Sequence, residues 1–319
     1  MTAKIRVWRG ERIESVHRAA TVVHDGVDVV RAWGDPAAVI YPRSAIKMMQ
    51  ALPLVETGVE SDPRRLALAC ASHQGTAAHA GLASGWLSDA GWSEADLRCG
   101  AHRPYDEAAA DALIRAGEAP SQLHNNCSGK HAGFLALARR VGGGPDYVEA
   151  DHPVQKAVRA AFEEATGADS PGWGIDGCSA PNFAQALGRV AAGAAAFARA
   201  TGDGARGRAM VALREAMAAH PDLVAGEGRA CTDLMRAAGH RAALKTGAEG
   251  VFVGILPAKG LGIALKVEDG ATRAAEALIA ALLAEVGTLD PAHPAARARM
   301  IGPITNRRGI ETGRLEVVL

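Results

Sequence analysis

Strand-like alternation stands at the two ends of this chain and helical spacing fills the middle, and that order restricts the fold more than any other feature. Lys4–Trp8 and Ile13–His17 flank the turn Arg9-Gly10-Glu11, and Ala20–His24 and Val27–Trp33 flank Asp25-Gly26. Alternating apolar positions around such turns predict hairpins. Helical spacing then runs from Ser44 to Gly239, with predicted helices over Ser44–Glu56, Thr76–Ala90, Glu107–Ala116, Lys130–Val141, Val154–Ala165, Asn182–Thr201, Gly204–Ala219 and Gly226–Ala238. Strand patterns return at Ala243–Thr246, Val251–Pro257 and Leu261–Val267, a helix is predicted over Ala271–Glu285, and Arg314–Leu319 reads as a last edge strand. The prediction is an α+β fold: an antiparallel-sheet lobe with a C-terminal helix from residues 1–43 and 240–319, a large, mainly helical lobe from residues 44–239, and a cleft between them.

Composition removes several classes of function. The 319 residues carry 35 Lys+Arg and 35 Asp+Glu, a formal net charge of zero, with no basic run that would track nucleic acid. Aromatics are 4%, too few for base-stacking platforms. No apolar run approaches the ~18 residues of a membrane span, and the first residues lack a signal-peptide pattern. The expectation is a cytoplasmic protein with no nucleic-acid or membrane partner. Five cysteines (70, 99, 127, 178, 231), odd in number and widely spread, argue against a disulfide framework and leave thiols, a metal or chemistry. Cys70 and Cys99 read as structural.

Two short motifs carry a serine–lysine chemistry. Ser44-Ala45-Ile46-Lys47 is S-x-x-K at the start of a predicted helix, where residues three apart share a face; Lys245-Thr246-Gly247 is K-T-G on a predicted strand. In this order they match serine nucleophiles served by lysine bases, as in penicillin-recognising hydrolases. Serine needs a base, and a lysine with its ordinary pKa is neutral only to roughly 0.04% at pH 7. Burial or a second cation could free it. The glycine of K-T-G lets a substrate backbone approach closely; taken alone, S-x-x-K equally describes an N-capping serine before a surface lysine, and K-T-G an exposed strand end. Ser72 follows the apolar run Leu66–Ala71 and opens a loop, a place for an active residue or for a helix cap. Cys127 precedes a helix start in Asn126-Cys127-Ser128-Gly129-Lys130, and Cys178 lies beside Asp176 in a Gly-rich loop. With Lys130 or Asp176 these thiols could ligate zinc, although the spacing carries no finger or ribbon signature. Cys231 falls within a predicted helix, as core or cleft lining, and His131 is the one histidine embedded in a candidate site.

Together, Pro42–Lys47 with Gln50–Leu54, Cys70–His73, Asn125–His131, Gly174–Pro181 and Lys245–Gly250 resemble the Rhizobium etli-type L-asparaginases, the class 3 or asparaginase II family, over nearly the whole chain. Cys-Ser-Gly-Lys-His and Asp-Gly-Cys-Ser-Ala-Pro are the specific part. The resemblance implies a fold similar to serine β-lactamases and glutaminases, a homodimer, and hydrolysis of L-asparagine to L-aspartate and ammonia. It implies one Ser–Lys pair from Ser44 and Lys47, a second from Ser72 and Lys245, and a zinc ion on Cys127, Lys130 and Cys178 that supports substrate binding rather than chemistry. Cys231 matches a further cysteine near the site. Within this reading Ser44 is the nucleophile, Lys47 its base, Asp176 the partner of the substrate ammonium and Arg43 of its carboxylate, with backbone N–H groups near Ser44 and the Lys245 strand holding the oxyanion. The alternatives are Ser72 as nucleophile, a glutaminase or other serine acyl hydrolase, and a non-catalytic zinc-dependent amino-acid binding protein.

Overall fold

The strand patterns from the two ends of the chain pair with each other. The computed structural model describes residues 1–319. It contains an eight-stranded antiparallel sheet of β1 (Ala3–Arg9), β2 (Arg12–His24), β3 (Val29–Trp33), β4 (Ala243–Thr246), β5 (Val251–Leu256), β6 (Leu261–Val267), β7 (Ile304–Thr305) and β8 (Glu311–Val318). The order is β7-β8-β1-β2-β6-β5-β4, with β3 also paired to β2. The two runs read as Ile13–His17 and Ala20–His24 are one strand, because Arg18 and Ala19 continue the extended backbone and each half has partners. Residues 12–19 pair with β1, and residues 19–24 pair with β6 and, over Thr21–His24, with β3. Ala19, Thr21, Val22 and Val23, in the half with strands on both sides, are buried. The C-terminal strand is not an edge strand: β8 lies between β7 and β1, in register from Lys4↔Val318 to Arg9↔Gly313.

The predicted helix Asn182–Thr201 begins late. Pro181–Phe183 pairs with Trp173–Ile175 and Gln185–Ala186 with Val39–Ile40, so these residues spend their backbone hydrogen bonds on strands and the helix runs only over Leu187–Arg199. The predicted helix Ser44–Glu56 is also broken, into a 3₁₀ turn (Arg43–Ile46) and two short helices, Lys47–Gln50 and Leu52–Glu56. Three further helices, Pro63–Ala69, Pro221–Val224 and Pro294–Met300, escaped the periodicity reading because they are only 7, 4 and 7 residues long.

The chain divides into two compact units. The first comprises residues 1–45, 185–199 and 228–319, the second residues 46–184 and 200–227. These bounds differ from the sequence boundaries because the Leu187–Arg199 helix packs on β6, β5 and β2, and the Ala230–Ala237 helix on β4. In the first unit, small residues Ala191, Ala194 and Ala195 let the Leu187–Arg199 helix lie close to the sheet, while Leu278, Ile279 and Leu282 of the Thr272–Glu285 helix are completely buried. Each such side chain contributes roughly 1.5–3 kcal/mol. In the second unit, Leu68, Ala71 and Ala83 form a core cluster with Leu82 and Leu123 against it. No helix is long and apolar enough to cross a membrane.

Candidate active site

In the helical unit, the apolar run ending at Ala71 delivers Ser72 to a fixed place. Asp62 caps the Pro63–Ala69 helix by accepting from the Arg64 N–H at 2.9 Å, and Pro63 occupies its first turn, where a missing N–H costs nothing. After this helix, the Ser72 N–H donates to Val224 O (2.9 Å) and the His73 N–H to Asn126 O (3.2 Å). The backbone around Ser72 is therefore held by two separate segments.

Lys47 reaches the same place from its own short helix. The side chain is completely buried. Its Nζ donates to Ala71 O, to Ser72 Oγ at 3.2 Å and to Cys127 Sγ at 3.1 Å. These three partners surround the nitrogen, and in the neutral amine a lone pair takes the place of one N–H and can face the Ser72 hydroxyl. A buried amine beside a hydroxyl is placed to exchange a proton with it.

Cys127 owes its position to an asparagine turn. Asn125 donates through Nδ2 to Cys99 O (2.8 Å) and Gly100 O (3.0 Å), and its Oδ1 accepts from the Cys127 N–H at 2.8 Å. Cys127 is then the N-cap residue of the Ser128–Arg140 helix. Gly129 lets that helix approach: a Cβ there would stand 2.5 Å from Leu68 O. One turn in, Lys130 donates to Cys178 Sγ at 3.1 Å, with its Nζ 5.4 Å from the centroid of the Phe134 ring. Cys178 comes from the hairpin Trp173–Ile175/Pro181–Phe183, whose turn is closed by Ser179 N–H to Asp176 O (2.9 Å), with Ser179 in the left-handed region at φ 71°.

The two thiols are electrostatically unlike. The neighbouring Cys127 thiol, with Lys130 and Lys47 adding to its effect, holds Cys178 well below the ordinary thiol range despite burial. The same neighbour interaction, together with burial, pushes Cys127 up to about 12. Burial opposes the charge on Lys130, but Cys178 and Cys127 override it and raise its pKa. Cys99, pushed up to about 12 mainly by burial, stays a thiol.

These donors fit zinc in part. Cys127, Lys130 and Cys178 offer two sulfurs and one amine, and the 3.1 Å between Lys130 Nζ and Cys178 Sγ is near the roughly 3.6 Å between two ligands of one tetrahedral zinc. No group of three or more His, Cys, Asp and Glu that could hold a metal is present, so an all-conventional ligand set is not formed. His131 is held through its Nδ1, which meets Tyr147 Oη at 2.7 Å, and Tyr147 Oη also accepts from the Arg98 N–H at 2.8 Å, while the buried Nε2 has no hydrogen-bond partner.

The sheet unit holds the other candidates. Arg43 has φ 53°, an uncommon conformation for a residue other than glycine, directly before Ser44. Lys245 is completely buried on β4, opposite Val253 of β5, and its Nζ donates to Thr246 O at 2.6 Å. Gly247 explains how β4 ends beside the serine segment. A Cβ on it would stand 2.9 Å from Pro42 O and 3.0 Å from Ala45 N. The glycine of K-T-G thus admits the chain's own backbone, where the sequence reading reserved it for a substrate. Near Ser44 and just past β4, two N–H groups are engaged within the chain: Ala45 N–H donates to Pro42 O (3.1 Å) and Gly247 N–H to Val251 O (2.8 Å). Cys231 is buried, and burial raises its pKa against the opposing effects of Lys245 and of a hydrogen bond from the Thr246 backbone.

The helical unit therefore holds Lys47, Ser72, Cys127, Lys130, His131, Asp176 and Cys178, and the sheet unit Arg43, Ser44, Cys231 and Lys245. Sequence reasoning missed Asn125 as the residue that seats Cys127, and His73, whose ring is described below. A buried apolar run ending in Ser-His was the available signal for the second.

A family model described as L-asparaginase II matches residues 5–317. No curated protein matches the chain. Similar solved structures include Mglu in its native form, 13% identical with a TM-score of 0.44, covering 86% of this chain and 65% of that one. Mglu in its tris and glutamate form is 12% identical with a TM-score of 0.44, covering 85% and 59%. The chain spans less than two thirds of the length of either.

Proposed function

Because the chain belongs to the L-asparaginase II family, we propose that it hydrolyses the side-chain amide of L-asparagine to L-aspartate and ammonia through a lysine-activated serine. The observation that carries the lysine–serine chemistry is Lys47, buried, with Nζ 3.2 Å from Ser72 Oγ. The antiparallel sheet with its helices, together with S-x-x-K and K-T-G, supports the finer assignment to a serine β-lactamase- or glutaminase-like fold.

In this mechanism Lys47 takes the serine proton, the serine Oγ forms a bond to the amide carbon, and the C–N bond breaks as a proton is returned to the departing ammonia. Water then cleaves the acyl-enzyme. Ser44 is the nucleophile, three residues before Lys47 in the chain, and Ser72 with Lys245 is the supporting pair that relays the proton. The Lys47–Ser72 hydrogen bond favours a second reading, in which Ser72 itself attacks. Asp176 receives the substrate ammonium and Arg43 its carboxylate, with His131 and Cys231 lining the substrate. A zinc ion on Cys127, Lys130 and Cys178 would supply positive charge for substrate binding. The thiolate character of Cys178 supports that donor role. A homodimer, which the family resemblance implies, is part of the same proposal and is read out by light scattering of the purified chain.

The test is ammonia release with asparagine, glutamine and, by absorbance, a chromogenic cephalosporin, each with and without chelator, on the wild type and on S44A and S72A. Asparagine turnover lost in S44A but retained in part by S72A supports Ser44 as nucleophile, and the converse supports Ser72. Saturable asparagine binding without ammonia would replace hydrolysis with a binding function.

A further inference from the structure

His73 follows Ser72 directly and is completely buried. Its ring nitrogens have only one consistent assignment. Nδ1 accepts from the Gly75 N–H at 3.1 Å, so Nε2 bears the hydrogen and donates to Ser128 Oγ at 3.0 Å, and Ser128 passes its own hydroxyl hydrogen to Leu123 O at 2.9 Å. Ser128 is the first residue of the helix that carries Lys130, immediately after Cys127. The other face of the His73 ring is covered by His79, stacked at 4.7 Å between centroids and 8° from parallel. His79 is fixed in the same way: Nε2–H donates to Asp222 O (3.0 Å) and Nδ1 accepts from Thr76 Oγ1 (2.7 Å). Asp222 lies two residues before Val224, whose carbonyl receives the Ser72 N–H. The His73 main chain adds its own N–H to Asn126 O. One imidazole thus ties the Ser72 segment to the start of the Cys127–Lys130 helix, and its stacked partner ties it to the segment that holds Ser72 from the other side.

We infer that His73 is a positioning residue for Ser72 and Lys47, its neutral ring clamping the serine segment to the Ser128 end of the helix, with His79 as the backing plate. The inference rests on the reading that Ser72 and Lys47 take part in amide hydrolysis. Burial adds to the clamp by keeping the ring neutral: it holds His73 well below the ordinary histidine range, helped by His79, Lys47, His102 and His124 around it. A cationic ring would bring a hydrogen to Nδ1, against the Gly75 N–H.

Glutamine and asparagine divide the two ring functions. H73Q keeps a side-chain N–H in reach of Ser128 Oγ, whereas H73N replaces Nδ1 as the acceptor for Gly75 and loses the tie to the helix. Steady-state asparagine hydrolysis, measured well below each variant's melting temperature, should give H73N a kcat lower by roughly 30- to 100-fold with KM within about threefold, because misplacement of a reacting group acts on the chemical step. H73Q should recover to within about fivefold of wild type. S128A should lose as much as H73N, and the S128A/H73N double variant no more than either single one. A folded H73N or S128A with wild-type kcat, or additive losses in the double variant, overturns the clamp. Should H73N not fold, H73Q and S128A carry the same decision. S72A and K47M separate the two levels: if they retain full turnover, the reading beneath fails, and if they abolish it while the His73 and Ser128 variants are unaffected, only the clamp fails.

Discussion

Lys47 and Lys245 are both completely buried lysines, one in each unit, and they are held in different ways. Lys47 touches a hydroxyl and a thiol from distant parts of the chain, while Lys245 donates to the carbonyl of its neighbour Thr246 on the same strand. The serine segments differ in parallel. Ser72 is fixed by hydrogen bonds to two other segments. Ser44 sits in a 3₁₀ turn after a left-handed Arg43, against a strand end that only a glycine allows so near. A side-chain network can be tuned one group at a time, whereas a backbone approach tolerates little change at all.

The contrast is most exposed to the lysines themselves. K47M should lower kcat for asparagine by ~10³-fold or more and K245M by ~10²-fold, the range of positioned general bases. Equal losses would erase the difference drawn above. C178S comes next. With the thiolate gone, zinc affinity measured by equilibrium dialysis should fall by about tenfold or more, and KM should rise by a larger factor than kcat falls; unchanged zinc binding would remove Cys178 from the donor set. The two glycines test the packing side. G129A brings a Cβ to 2.5 Å from Leu68 O and G247A to 2.9 Å from Pro42 O, so both should destabilise, by about 1–3 kcal/mol, with G129A the worse in denaturant titration. A harmless G247A would mean that the strand end moves freely beside Ser44.

Acid should act on the helical unit through His73 and His79, with His131, also held low by burial, adding to them. Burial lowers these pKa values below 6.5, so the folded chain binds fewer protons than the unfolded one. Stability is then complete above about pH 6.5 and falls as the pH drops below it, until each folded-state pKa is reached. The expected slope is about 1.4 kcal/mol per pH unit for each ring. Melting curves from pH 7.5 to 5 should show it, and H73Q should lose the His73 share. A flat wild-type profile would mean that none of these rings is kept neutral.

Much of the sheet could be read from the chain because alternation at residues 3–33 and 243–267 is a local property. Arg314–Leu319 read as an edge strand, since nothing local in that segment announces β7 as a second neighbour. The Asn182–Thr201 pattern misled because helical apolar spacing continues through residues that pair with Val39–Ile40 and Trp173–Ile175, segments not adjacent in sequence. At the candidate site, the residue types in S-x-x-K, Cys-Ser-Gly-Lys and Asp-Gly-Cys were visible, but their contacts were not. Helical spacing suggested that Lys47 faces Ser44, and it gave no sign of the Ser72 and Cys127 contacts, which span 25 and 80 residues. The Lys130–Cys178 hydrogen bond likewise depends on a hairpin turn that no spacing rule specifies.

The pairing of β1 with β8, from Lys4↔Val318 to Arg9↔Gly313, has a consequence for synthesis. β1 must wait for a neighbour made some three hundred residues later, and β2 waits for β6 in the same way. The helical unit needs nothing later than residue 227 and can consolidate while the sheet is still unpaired. The same pairing suits a rearranged chain: a short linker running from β8 directly into β1, with a new start in an exposed loop, would turn a contact between residues 4 and 318 into a local hairpin.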